Sequence, residues 1–242
     1  MLNWLDEATF KIGDVTFTLD YMLGGSKRPS DVKNFTMMKA TNFLDKYLSL
    51  QGKGIQKVLE LGVYQGGSYV FLDKLLRPAR ISAVELETKP IPALDRYISE
   101  NRERCKLYYG TSQADVDALE RIVRDDFDGE LDLVVDDASH FYELTKTSFE
   151  TLFPRLKPGG TYIIEDWSWS FEPSYQDTSH SWFTQPSLAN IFIDLAEELS
   201  INNSVHEVTI GREMIVITKT TAAKQGPLFQ GKGRRGRDLQ LL

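Results

Sequence analysis

Four acidic residues and one histidine follow two apolar runs of the chain, and together they could bind a cation. Asp136 and Asp137 end the first run with His140 just beyond, and Glu165 and Asp166 end the second. Parallel strands bury both faces, read as apolar runs and collect ligands at their carboxyl ends. Both sets are therefore predicted to lie at one edge of a sheet. Clustering them is costly unless a cation or a positively charged ligand neutralises the carboxylates.

A second interpretation gives these residues no chemistry and stays open at this point. The acids could be solvated strand ends and helix caps, and His140 could cap a helix that begins near Phe141. Asp136 could serve a cofactor or simply hold the loop that follows it.

Bulk properties exclude several classes of protein. The chain has 242 residues, a net charge of −7 and 41% hydrophobic residues, enough for one large α/β domain. Its acidity argues against nucleic acid as a partner, and no run approaches the roughly 18 apolar residues of a membrane span. The start of the chain does not read as a signal peptide. Cys105 is the single cysteine, which fits a reducing, cytoplasmic location.

The segments between residues 56 and 218 alternate between strand and helix patterns. Apolar runs predict five parallel strands, at 56–61, 79–86, 105–109, 131–136 and 161–165. Helical periodicity predicts helices at 34–50, 67–77, 113–124, 141–153 and 187–200, and one more that ends near residue 102. Two further strands, 205–210 and 212–218, meet at a tight turn at Gly211. That turn is too short for a crossover helix, so this last pair must be antiparallel.

These elements predict an α/β fold with a Rossmann-like seven-stranded sheet. Five parallel strands are followed by a C-terminal antiparallel hairpin, and helices cover both faces. We divide the chain into an N-terminal lid or helical elaboration (1–50), a ligand-binding domain (51–221) and a basic, Gly-rich tail (222–242). The tail and the N-terminal elements are compatible with a homo-oligomer.

The loop after the first parallel strand has a glycine pattern of its own. The dinucleotide fingerprint is G-x-G-x-x-G, but here Gly62 is followed by Gly66 and Gly67, and Glu60 precedes them. A pyrophosphate favours bare helix N-terminal amides, whereas a cationic amino acid favours the carboxylate. Glu85, at the end of the second strand, can accept both hydroxyls of a ribose.

Together these motifs resemble the motif series of the class I S-adenosylmethionine-dependent methyltransferases over roughly residues 50 to 220. The resemblance implies that the segment from Gly62 to Ser68 faces the methionine part of the cofactor and that Glu85 binds its ribose. It also implies that Ser112, Gln113 and Asp115 lie near the adenine. The residues assigned to the cofactor are thus Glu60, Gly62, Tyr64, Gly66, Ser68, Glu85, Ser112, Gln113, Asp115 and Asp136.

A narrower resemblance is to metal-dependent sugar O-methyltransferases that act on deoxysugars in macrolide and enediyne antibiotic pathways. It is carried by the segments 136–140, 149–154, 157–160 and 164–166, with Ala138 in place of the usual Gly. It implies that Asp137, Glu165 and Asp166 bind Mg²⁺ and that His140 is the general base. Carboxylates suit Mg²⁺, and an imidazole can accept a proton near neutral pH.

The segment after the fifth strand is rich in aromatic residues, which often line carbohydrate and apolar sites. We expect substrate contacts from Trp167, Trp169, Tyr175 and His180. Part of this loop could instead pack on the core or on a second subunit.

Three other functions remain open for the sequence. The first is O-methylation of a catechol or small phenol, which also presents hydroxyls to a metal. The second is a non-haem iron oxygenase, although two histidines and one carboxylate are usual there. The third is a catalytically silent cofactor-binding protein.

Overall fold

The computed structural model describes residues 2–26, 28–201, 203–221 and Leu228. The chain divides into two compact units, Met1–Ser112 and Gln113–Leu242. The predicted basic tail lies outside the described residues except for Leu228. Within the described part of the chain, every helix is too short or too polar to cross a bilayer.

The first unit begins with a small four-stranded sheet, and its core is aromatic. The strands are β1 (Asn3–Trp4), β2 (Thr9–Ile12), β3 (Val15–Leu19) and β4 (Asn34–Met37). The first three pair antiparallel and β4 joins β3 in parallel. Phe10 and Phe17 are fully buried, and each ring lies 5.8 Å from the ring of Phe71, centroid to centroid.

The helix predicted over 34–50 is wrong in its first part. Asn34–Met37 forms strand β4, and the helix α1 is confined to Thr41–Leu48. Met37 belongs to the apolar stripe that suggested a helix, yet its neighbours Phe35 and Thr36 are also buried. Pairing with β3 satisfies the backbone there, and this tertiary pairing overrides the helical periodicity.

The rest of the first unit alternates strands and helices. They are β5 (Lys57–Leu61), α2 (Gly67–Leu76), β6 (Arg80–Glu85), α3 (Pro92–Glu100) and β7 (Cys105–Tyr109). The three strands are parallel neighbours. Cys105 is 1% exposed, and burial raises the pKa of its thiol to about 11.

The second unit continues the alternation and then reverses direction. Its elements are α4 (Val116–Phe127), β8 (Leu131–Asp136), α5 (Tyr142–Leu152), β9 (Leu156–Glu165), α6 (Ile191–Ile201), β10 (Val205–Ile210) and β11 (Met214–Lys219). β8 and β9 are parallel, whereas β11 is antiparallel to both β9 and β10. Short 3-10 helices interrupt the aromatic segment, at Trp169–Phe171, Pro173–Gln176 and Leu188–Asn190.

A buried lysine secures the last strand of this unit. Lys219 is 4% exposed, and its ammonium donates to the carbonyl oxygens of Pro154 (2.7 Å) and Leu156 (2.5 Å). Burial lowers the pKa of this ammonium group. The two hydrogen bonds tie the end of β11 to the beginning of β9.

The seven-stranded sheet has the strand order β10-β11-β9-β8-β5-β6-β7. The predicted fold class is confirmed: five strands, β5 to β9, alternate with helices and an antiparallel hairpin closes the sheet.

Candidate functional site

The glycines of the loop after β5 are required by close contacts in the first unit. Gly66 has φ = +80°, and a Cβ built there would lie 2.9 Å from the side chain of Leu94. A Cβ on Gly67 would lie 2.1 Å from the carbonyl oxygen of Thr36 in β4. A side chain at Gly67 would therefore displace the backbone of β4, and one at Gly66 would displace the side chain of Leu94.

Glu85 organises the same loop. One of its carboxylate oxygens accepts the backbone N–H groups of Val63 (3.1 Å) and Tyr64 (3.2 Å), and the other accepts that of Glu87 (3.0 Å). Glu60 is fully buried and Ser68 is 8% exposed, whereas Tyr64 is 44% exposed. Glu85, which is predicted to bind the ribose, therefore shapes the loop that is predicted to hold the methionine part of the cofactor.

Positive backbone φ angles coincide with the predicted site residues. Among the residues that the structure describes, five other than glycine have a positive φ: Tyr64, Arg77, Asp128, His140 and Asp166. Arg77 and Asp128 are the left-handed C-caps of α2 and α4, an ordinary way to end a helix. The remaining three are all predicted site residues: Tyr64 for the cofactor, His140 as the general base and Asp166 for the metal. Such strained conformations are common at functional sites.

A candidate metal centre lies in the second unit. One nitrogen of His140 and one carboxylate oxygen each of Asp137 and Asp166 lie within 4.8 Å of one another, and all three residues are half-buried. Asp137 and His140 belong to the loop after β8, and Asp166 directly follows β9. The parallel pairing of β8 with β9 brings these strand ends together.

Glu165, the third predicted ligand, is not part of this group. It is the last residue of β9 and is 1% exposed. His140 is predicted to be the general base, but one of its ring nitrogens lies within 4.8 Å of the two carboxylate oxygens, as close as a metal ligand would.

Asp136 lies at the centre of a buried hydrogen-bond network. It is 2% exposed and accepts the side chains of Gln113 (3.0 Å), Ser148 (2.6 Å) and Tyr162 (3.0 Å). Burial raises the pKa of this carboxyl to about 6, although the hydrogen bonds from Ser148 and Tyr162 oppose the shift. The amide oxygen of Gln113 also accepts the backbone N–H of Ser139 (2.8 Å).

Like Asp136, two more residues assigned to the cofactor from the sequence have structural partners. Gln113, 5% exposed, joins Asp136 to residues 137–140, the loop that carries Asp137 and His140 and is called the metal-site loop below. Asp115 is the N-cap of α4, since its carboxylate accepts the backbone N–H of Ala118 (3.0 Å). Ser112 is half-buried and belongs to the first unit.

The aromatic segment forms a ring cluster next to the metal-site loop. The cluster consists of Phe141, Trp169, Tyr175, His180 and Trp182, with neighbouring ring centroids 4.6 to 6.4 Å apart. The indole N–H of Trp169 donates to the carbonyl oxygen of His140 at 2.8 Å. Burial raises the pKa of Tyr175, and the negative charges of Glu172 and Asp166 add to that shift, so its hydroxyl senses a metal-site carboxylate.

Trp167 belongs to a different aromatic group. Its ring packs against Phe171 and Phe192, and its indole N–H donates to the carbonyl oxygen of Gly211 at 2.9 Å. The four residues predicted to contact the substrate therefore fall into two groups. Trp169, Tyr175 and His180 belong to the ring cluster, whereas Trp167 contacts the hairpin turn.

Sequence reasoning missed the residues that support this site. Ser148 and Tyr162 point at Asp136 from α5 and β9, and Phe141 and Trp182 complete the ring cluster. Apolar periodicity predicts only that such residues are buried. Their polar contacts depend on the packing of elements that are distant in sequence.

Comparison with known proteins agrees with the fold. A family model described as a methyltransferase domain matches residues 59–167. The MycE methyltransferase from the mycinamycin biosynthetic pathway, solved with Mg, SAH and mycinamycin VI, is 22% identical with a TM-score of 0.56. The match covers 74% of this chain and 48% of that one, and at this identity it concerns the fold alone.

Two curated proteins from Streptomyces olivaceus are similar in sequence. An 8-demethyl-8-alpha-L-rhamnosyl tetracenomycin-C 2'-O-methyltransferase is 50% identical over 48 residues, which is 20% of this chain and 13% of that protein. An 8-demethyl-8-(2-methoxy-alpha-L-rhamnosyl)-tetracenomycin-C 3'-O-methyltransferase is 35% identical over 126 residues, or 49% of this chain and 30% of that protein. The matches span less than a third of these relatives' lengths. The chain therefore has the class I methyltransferase fold, its residues 59–167 match a methyltransferase domain, and parts of its sequence are similar to those of sugar O-methyltransferases.

Proposed function

We propose that the protein transfers a methyl group from S-adenosylmethionine to a hydroxyl of a deoxysugar, with the help of a divalent cation such as Mg²⁺. The observation that carries the proposal is the convergence of Asp137, His140 and Asp166 within a methyltransferase domain. Names of the similar proteins support the reaction class, since they describe O-methyltransferases for rhamnosyl groups.

The donor set fits a hard cation. Asp137 and Asp166 offer carboxylate oxygens, the ligands that Mg²⁺ prefers, and their close approach favours a positive charge between them. When bound, the ion would orient a sugar hydroxyl and stabilise the developing alkoxide. Asp137 and Asp166 would hold it, and Glu165 is left outside this set because the cluster does not include it.

His140 would accept the proton of the attacking hydroxyl. The oxygen then forms a bond to the methyl carbon as the carbon–sulfur bond breaks, leaving S-adenosylhomocysteine and a methyl ether. A sulfonium methyl is already activated, so the chain mainly aligns the acceptor and removes its proton. The hydrogen bond from Trp169 to the His140 carbonyl keeps this base in a fixed place.

The cofactor would use the glycine loop of the first unit. We propose Gly62 to Ser68 for the methionine part, Glu60 for its cationic group and Glu85 for the ribose. Ser112 is the proposed adenine contact, and we propose supporting roles for Gln113, Asp115 and Asp136 in the hydrogen bonds described above.

The acceptor sugar is proposed to be attached to a neutral, apolar natural product. Residues 158–211 contain no Lys or Arg but several Asp and Glu, so this stretch offers no cation to the diphosphate of a nucleotide sugar. The ring cluster offers aromatic faces instead, through Tyr175, His180 and Trp182. A glycoside with a flat or apolar aglycone matches that chemistry better than a charged nucleotide sugar.

The test is transfer of a labelled methyl from S-adenosylmethionine to three acceptors: an aryl α-L-rhamnoside, TDP-rhamnose and catechol. Each is assayed with Mg²⁺ and with EDTA. We expect the rhamnoside to be methylated with Mg²⁺ and EDTA to abolish the reaction. Full activity in EDTA would refute the cation. Preference for TDP-rhamnose or catechol would refute the acceptor class, and oxygen uptake without methyl transfer would refute the reaction.

A further inference from the structure

The loop Asp137-Ala138-Ser139-His140 supplies two of the three residues of the candidate metal centre. It connects β8 to α5, and His140 within it has φ = +59°. A backbone in this conformation keeps its shape only when neighbouring groups determine it. Side chains that bond to the loop backbone therefore control where Asp137 and His140 point.

Gln113 holds the loop from one side. Its amide nitrogen donates to Asp136, immediately before the loop, and its amide oxygen accepts the backbone N–H of Ser139 within it. A carboxamide carries a donor and an acceptor on one planar group, so a single side chain makes both bonds. Ser148 and Tyr162 fix the other oxygen of Asp136, so Gln113 connects the loop to α5 and β9.

Trp169 holds the loop from the other side. Its indole N–H donates to the carbonyl oxygen of His140 at 2.8 Å, and the residue is only 6% exposed. The ring is packed against Phe141, Tyr175 and Trp182. An indole has a single donor, and here that donor is used on the loop, so Trp169 is poorly placed to contact a substrate.

We infer that Gln113 and Trp169 are positioning residues that clamp this loop, Gln113 setting the Asp137 end and Trp169 the His140 end. Neither touches the reacting atoms in this assignment. The inference rests on the proposed function for its kinetic consequences, but its effects on metal binding and on the His140 ring can be measured without turnover. Because the two bonds reach different residues, loss of each should change a different property.

Three variants separate the two ends of the clamp. Gln113→Leu removes both hydrogen bonds, Gln113→Glu keeps an acceptor for Ser139 but loses the donor to Asp136, and Trp169→Phe keeps a ring and loses the donor. Matched controls are Gln51→Leu, at an exposed glutamine whose amide donates to the Leu75 carbonyl (3.4 Å), and Trp4→Phe, at a residue of β1 that is 43% exposed.

We expect both Gln113 variants to weaken Mn²⁺ binding by about 10-fold or more, as is usual when a partner of a ligand is lost. Their affinity for S-adenosylmethionine, measured by calorimetry, should stay within about 3-fold of wild type. This is less than a tenfold change in the dissociation constant. Trp169→Phe should instead lower kcat by about 10-fold with unchanged Mn²⁺ affinity. In ¹⁵N-histidine-labelled Trp169→Phe the His140 ring signals should move, while those of His206 should not.

Unchanged Mn²⁺ affinity in a folded Gln113 variant would overturn the role of Gln113. An unchanged His140 ring signal would overturn that of Trp169, and equal effects of all three variants on Mn²⁺, cofactor and melting temperature would show a merely structural role. If Gln113→Leu does not fold, Gln113→Glu decides alone, because it preserves side-chain size. Should wild type methylate no acceptor, the proposed function fails while the Mn²⁺ and NMR measurements still judge the clamp.

Discussion

Replacement of His140 by Asn separates a base from a metal ligand at the centre of the site. Asn is preferable to Ala because residue 140 has φ = +59°, a left-handed conformation that costs an ordinary L-residue roughly 1–2 kcal/mol. Asn tolerates this conformation well. His140→Asn should therefore keep the loop backbone and the Trp169 hydrogen bond, which uses the carbonyl of residue 140, and lose only the imidazole.

The expected loss of rate follows from the role of the imidazole. General-base catalysis contributes typically about 10² to 10⁴ in rate, or about 3–5 kcal/mol of barrier. His140 is one of three groups within 4.8 Å, so metal affinity reports whether it also binds the ion. For a base alone, kcat should fall by about 10² or more with the Mg²⁺ activation constant unchanged.

The assay is methyl transfer to the rhamnoside over a Mg²⁺ titration, with cofactor binding measured separately by calorimetry. His206→Asn is the matched control, since His206 is exposed on β10. If the turnover of His140→Asn stays within about 3-fold of wild type, His140 is not the general base, because loss of a base should lower the rate by a factor of about 10². A loss of rate that excess Mg²⁺ restores would show instead that His140 is a ligand.

Three further outcomes test other parts of the structure. Asp166→Asn should retain the left-handed backbone and raise the Mg²⁺ concentration needed for half-activation by about 10-fold or more; an unchanged titration would remove Asp166 from the ligand set. At pH 8, Cys105 should react with a thiol reagent about 100-fold more slowly in the native protein than in urea-unfolded protein. The reason is that burial raises the pKa of its thiol by about two units, to about 11, so the reactive thiolate forms only as the pH rises towards that value. Equal rates in the two states would contradict the burial of Cys105. Lys219→Met should lower the free energy of unfolding by about 1–3 kcal/mol in urea titrations, since two buried carbonyls lose a charged donor, whereas the exposed Lys53→Met should change it by less than about 0.5 kcal/mol.

The alternation of apolar runs was sufficient to predict the sheet. Buried parallel strands such as β8 are apolar throughout, and the short turn at Gly211 forces the last pair to be antiparallel. The segment 34–37 could not be assigned this way. This segment forms a strand because it pairs with β3. Since β3 is distant in sequence, the pairing leaves no periodic pattern within the segment itself.

For the site, the sequence predicted which residue types meet but not how they divide their roles. Asp137 and Asp166 converge as expected from two adjacent strand ends. The assignment of Glu165 as a ligand stays a prediction, and the use of Gln113 on Ser139 depends on a turn that has no sequence signature. The resemblance places Gln113 by its position along the chain, and its hydrogen bonds to Asp136 and Ser139 could be seen only in the structure.

The contact between Gly67 and the carbonyl of Thr36 bears on where the chain can be cut. Residues 1–50 are predicted to be an N-terminal lid or helical elaboration, but the ring of Phe71 in α2 packs against those of Phe10, Phe17 and Tyr47. A fragment that starts at residue 51 would leave that ring and the first turn of α2 bare to water. The minimal expressible protein must therefore retain the opening fifty residues, and grafting the glycine loop into another scaffold would require carrying β4 with it.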